Sequence, residues 1–112
     1  MVVQVEQNED QIYIYKDSVL EDHFYSVEKF IYWLFRHRCI GLDNPCHKFA
    51  SEINEIIPRS SGKDSMKWKN RVPMCHEHHL EYHRLGTSDK AIEKLQERRA
   101  EYLETIGRWE YI

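Results

Sequence analysis

No run of the chain approaches the roughly 18 consecutive apolar residues that a bilayer-spanning helix requires, and the N-terminus has no basic-then-apolar signal layout. Both absences predict an intracellular protein with no membrane partner. Cysteine is scarce and odd in number: Cys39, Cys46 and Cys75 are the three thiols among 112 residues. A disulfide framework would leave one of them over, and in a reducing compartment thiols near histidines are more often metal ligands. Strong net charge is missing as well. The formal value of −3 excludes a uniformly basic nucleic-acid binder. There are no internal repeats or low-complexity tracts, and 112 residues are too few for two separate cores, so a single domain is expected.

A composition that is 41% hydrophobic and 12% aromatic permits a packed core. The charge is unevenly spread. Residues 1 to 35 carry seven acids against two bases, whereas residues 36 to 84 carry nine bases against six acids. Positive potential therefore gathers around Cys39 to His83, which also holds every cysteine and five of the seven histidines. Polyanion binding remains open for that stretch.

The first ten residues give no firm pattern. Gln11 to Lys16 is β-branched and aromatic and predicts a strand. Ser18-Val19-Leu20-Glu21 has the form of a capping box, which predicts a helix from there to about Arg38 with Leu20, Phe24, Val27, Ile31 and Leu34 on one stripe. Gly41, Asp43, Asn44 and Pro45 mark a loop. Phe49 to Ile57 reads as a strand ended by Pro58, and Arg59 to Lys69 as an exposed polar loop. Arg71 to Met74 reads as a second short strand at an edge, because Pro73 lacks a ladder donor. A helix from about His76 to Leu85 stops at Gly86. Thr87-Ser88-Asp89 then opens a last packing helix that runs toward Gly107. Trp33, Trp68 and Trp109 are expected in or partly in the core, although Trp68 within the basic loop could stack on a base.

Cys75-x-x-His78 places two ligands on a turn entering a helix, a usual half-site for tetrahedral zinc. Cys39 and Cys46, with six residues between them, would supply the other half as a knuckle with an inserted loop. His47 and His76 are the alternatives for the fourth ligand, and ordinary buried thiols the alternative to zinc. Four such ligands make a closed structural site that contributes folding energy. His79 and His83, four apart on a helix, share a face and can bind one ion, while His78 points about 100° away and can serve another.

The blocks Glu52-Ile53-Asn54-Glu55-Ile56-Ile57-Pro58-Arg59-Ser60 and Asn70-Arg71-Val72-Pro73-Met74-Cys75-His76-Glu77-His78-His79, followed by His83, resemble the HNH endonucleases, and in particular small phage-type members. The likeness spans about residues 39 to 86. It implies an α+β fold: a ββα-metal unit with a structural zinc knuckle, preceded by an N-terminal strand and helix over 1–38 and followed by a C-terminal helix over 87–112. It further implies that His79, His83 and Asn54 bind a catalytic divalent cation, that Glu55 is the general base, and that Asn70 is the central asparagine bracing the catalytic loop or contributing to the metal site. Arg59, Lys63, Lys67, Lys69 and Arg71 would hold the DNA backbone with little regard to sequence.

The implied activity is metal-dependent hydrolysis of DNA phosphodiesters, with nicking or weakly specific cleavage, in the cytoplasm of a bacterial or phage-infected cell. The structural ion would be Zn²⁺ and the catalytic ion Mg²⁺, Mn²⁺, Ni²⁺ or Zn²⁺, two imidazoles favouring the softer ones. Asn54 stands where the family usually has His or Asp, and Glu55 where it usually has His. An amide oxygen holds a transition metal less firmly than imidazole or carboxylate. The alternative reading is therefore a catalytically degenerate, zinc-stabilised module that binds DNA or a packaging or recombination protein. A transcription-type zinc finger is a third, opposed by the Ile-Pro-Arg-Ser block and the His79/His83 pair.

Overall fold

The computed structural model describes residues 1–61, 64–86 and 88–112, with the side chain of Ser61 left aside. Three antiparallel strands come first, β1 (Val3–Asn8), β2 (Gln11–Lys16) and β3 (Val19–Phe24), paired in chain order. Asp17 and Ser18, at φ 49° and 69°, form the two-residue link between β2 and β3. Positive φ at both central positions is the hairpin turn whose twist matches that of the strands it joins. The residues that mimic a capping box are thus a turn and the start of a strand, and the helix expected from Ser18 is displaced.

The helix α1 (Val27–Leu34) begins at Ser26, whose Oγ accepts from Lys29 N at 3.1 Å. It stops after one eight-residue stretch because Arg36 and His37 both take positive φ, 56° and 59°. Outside glycine that conformation costs of order 1 kcal/mol or more per residue. It is offset here by His37 N–H donating to Tyr32 O at 2.7 Å, and by Ala50 N–H donating to His37 O at 2.9 Å.

The second sheet has two strands, β4 (Glu52–Glu55) and β5 (Arg71–Met74), antiparallel with Asn54 opposite Val72 and Glu55 opposite Arg71. The strand expected over Phe49 to Ile57 is confined to its middle, although Phe49 makes an isolated bridge to Arg38. Two helices complete the chain, α2 (His76–Leu85), ended by Gly86 at φ 74°, and α3 (Asp89–Thr105), capped by Ser88 Oγ on Ala91 N at 3.2 Å. No helix among the described residues is long and apolar enough to cross a membrane.

One apolar core joins the parts. Ile12 and Ile14 of β2, Phe30, Ile31 and Leu34 of α1, Val72 and Met74 of β5, and Leu95 and Leu103 of α3 are all fully buried within it. Trp68 belongs to it too, edge-on to Phe30 at 5.4 Å, so it is packing and not a free stacking platform. Trp109, by contrast, is 63% exposed. Among the described residues the result is a compact α+β domain of two small sheets and three α-helices.

Candidate functional site

Cys39 follows the abrupt end of α1, and two backbone bonds fix it and its neighbour: Cys39 N–H to Lys48 O at 3.0 Å and Ile40 N–H to Pro73 O at 3.3 Å. The inserted loop returns the chain to Cys46 through Gly41, at φ 77°. A Cβ there would collide with the carbonyl of Asn44. Cys75 is the N-cap of α2, and His78 lies one turn on.

These four residues meet. The Sγ atoms of Cys39, Cys46 and Cys75 and a ring nitrogen of His78 all lie within 4.8 Å of one another, and His78 Nδ1 is 3.3 Å from both Cys39 Sγ and Cys75 Sγ. Ligands about 2.3 Å (sulfur) and 2.1 Å (nitrogen) from a tetrahedral zinc are about 3.5 to 3.8 Å apart, so the cluster is compatible with a structural zinc site. Gly41 N–H donates to Cys39 Sγ at 3.4 Å, a contact that supports a thiolate. Of the alternatives for the fourth ligand, neither joins the cluster: His47 is exposed, and His76 Nδ1 pairs with Glu52 Oε2 at 3.1 Å.

On the next part of α2, His79 Nε2 and His83 Nε2 are 3.1 Å apart. Two nitrogens each about 2.1 Å from one ion are separated by about 3 Å, so the pair fits a shared cation. Burial lowers the pKa of His79, which keeps a lone pair free for a metal. Its Nδ1 is buried with no hydrogen-bond partner among the described residues.

Asn54 lies on β4 and is 1% exposed. Its Nδ2 donates to Glu55 O at 3.2 Å, but its Oδ1 is buried and unpartnered among the described residues. Glu52 reaches His76 on α2, and strand alternation puts Asn54, two residues on, on that same face. Tyr82 OH, donating to Ile56 O at 2.7 Å, pins α2 to the end of this strand. Sequence reasoning passed over Glu52; only its position two residues before Asn54 could have flagged it.

Glu55 leaves the opposite face, across from Arg71, and its Oε1 accepts from Arg59 Nε at 2.9 Å. Asn70 closes the intervening loop. Its Nδ2 donates to Ile57 O at 2.8 Å and to Ser65 O at 2.9 Å, while its Oδ1 accepts from Ile57 N at 2.9 Å.

The basic residues do not share one surface. Arg59 and Lys67 are exposed, and Lys69 Nζ rests 5.5 Å from the Trp68 ring centroid. Arg71 faces the N-terminal sheet, in a cleft of about 520 Å³ with Gln7, Glu9, Asp10 and Glu28. Lys63 lies outside the described residues. Comparison with family models, with curated proteins and with solved structures found no match to this chain.

Proposed function

We propose that this protein is a metal-dependent DNA endonuclease of HNH type, with a zinc-stabilised knuckle beside a separate catalytic centre. The observation that carries the reading is the combination of a buried, unpartnered Asn54 Oδ1 on the face of β4 toward α2 with the paired Nε2 atoms of His79 and His83. A buried carbonyl oxygen without a donor costs about 1 to 3 kcal/mol, a penalty that coordination would remove. A divalent cation held by Asn54, His79 and His83 would neutralise charge gathering on the scissile phosphate and its leaving oxygen.

The chain's own groups supply the rest. Arg59 occupies Oε1 of Glu55 and leaves Oε2 to accept a proton from the attacking water. The remaining N–H groups of Arg59 suit bidentate contact with a phosphate, next to that base. Asn70 holds the loop through Ile57 and Ser65, and so fixes where Arg59 can reach. Lys63, Lys67 and Lys69 add sequence-independent backbone contacts, whereas Arg71 lines a cleft with Glu9, Asp10 and Glu28.

A second reading has its own observation. Asn54 is neutral, and a centre with one amide oxygen and two imidazoles holds a cation weakly; on that reading the fold is a zinc-stabilised module docking on DNA or on a packaging or recombination protein. Incubation with supercoiled plasmid under Mg²⁺, Mn²⁺, Ni²⁺ and Zn²⁺ separates the two. Metal-dependent nicking that His79→Ala reduces by at least about 100-fold supports the enzyme. No nicking with any ion, with cleavage gained in Asn54→His, supports the module.

A further inference from the structure

A second surface stands apart from the loop of Arg59 to Arg71. Between Glu28 and Asp43 the sequence has no acid, and none occurs from Asn44 to Ser51. The fold brings these two segments together at the bridge between Arg38 and Phe49. There the His37 ring stacks on Tyr32 at 4.2 Å with planes 13° apart, and meets Phe49 edge-on at 6.2 Å. Phe49 is 65% exposed, and the Arg38 guanidinium lies 3.9 Å from its ring centroid. Arg36 and Lys48, the neighbours in sequence of His37 and Phe49, are exposed, with Arg36 reaching the Ile106 carbonyl at 3.5 Å. Of the nearby acids, Glu77 pairs with Lys48 at 2.8 Å and Glu52 with His76 at 3.1 Å, while Glu28 lies within electrostatic reach of Tyr32.

A large exposed aromatic costs hydration. Core packing does not explain Phe49, which lies on the surface. Exposed rings interleaved with guanidinium and ammonium groups match one ligand chemistry: bases that stack and phosphates that pair with cations. Paired bases keep their faces inside the duplex, so such rings can be used only by an unpaired strand.

We propose that His37 and Phe49, with Tyr32 stacked beneath His37 and Arg38 beside Phe49, form a binding site for unpaired polynucleotide. Phe49 precedes Asn54 by five residues, at most about 18 Å of extended chain, so a strand seated on the shelf reaches the catalytic centre within a few nucleotides. Resting on the endonuclease reading for this step alone, the site names the substrate class: DNA with an unpaired stretch beside the bond to be cut.

The test is fluorescence anisotropy with labelled 12-mers of oligothymidylate and oligouridylate and a blunt duplex of equal length, in the absence of added divalent ion so that nothing is cleaved. Tighter binding of either single strand than of the duplex is expected, weakened roughly tenfold in Phe49→Ala and recovered in Phe49→Trp; the two oligomers tell DNA from RNA. Zinc content and circular dichroism of each variant guard against misfolding. No binding of either oligomer, or equal affinities for Phe49→Ala and the parent, would overturn the proposal. Phe49-dependent binding without plasmid nicking would remove the endonuclease reading and leave the shelf standing.

Discussion

Cys39 has no exposure to solvent, and burial pushes its thiol up to about 12 in the metal-free protein. A zinc ion bound by this cluster would therefore have to displace the Cys39 proton at any ordinary pH. Protons and zinc compete for the same sulfur, so lowering the proton concentration favours the metal. The apparent zinc affinity should rise about tenfold per pH unit from this thiol alone between pH 6 and 8, measured by competition with a chromophoric chelator. An affinity independent of pH would mean that Cys39 is not a ligand. Cys75-x-x-His78 made half of this cluster legible in the sequence. The other half was harder to read, because six residues separate Cys39 from Cys46 and only the turn at Gly41 brings their sulfurs together.

The short helix α1 illustrates how an element can be misjudged from a good local signal. Leu20 and Phe24 extend the apolar stripe of Val27, Ile31 and Leu34, so helical periodicity alone runs back to Ser18. The β2–β3 hairpin wins because Asp17 and Ser18 accept positive φ and the paired strands satisfy more backbone groups than about two extra helical turns. Ser26 is then the residue that starts the helix. Ser26→Ala should cost about 1 kcal/mol and lower the melting temperature by about 4 °C, whereas Ser18→Ala should not mimic the loss of a helix cap. Thermal melts of the two variants side by side check this, and the reverse order would contradict the hairpin.

Across the whole molecule, α3 supports the knuckle from outside. Arg98 is nearly buried, its Nε donating to Ile40 O at 2.6 Å and its Nη1 pairing with Glu101 at 2.8 Å. Arg99 carries its charge deeper still. Its guanidinium is held by the carbonyls of Tyr111 at 3.0 Å and Ile112 at 3.3 Å, and burial lowers its pKa to about 10. Removing Arg98 leaves the Ile40 carbonyl unsatisfied beside Cys39. Arg98→Ala should cost about 2 to 3 kcal/mol and release zinc to a chelator faster than the parent, which urea melts and stopped-flow chelation would register. Unchanged zinc release would assign Arg98 to packing alone.

Local rules carried much of the result. Helical periodicity, the N-cap at Ser88 and the stop at Gly86 placed α2 and α3, β-branched and aromatic residues placed β2, and the spacing of Cys75 and His78 marked a metal half-site, because these depend on neighbours within a few positions. Contacts between distant segments settled the remainder. The choice of His78 over His47 and His76, the placing of Arg71 in a cleft with Glu9, Asp10 and Glu28 and the meeting of Arg38 with Phe49 all arise where the chain folds back on itself. No nearest-neighbour preference encodes such contacts, because their energies exist only once the core has brought the segments within reach.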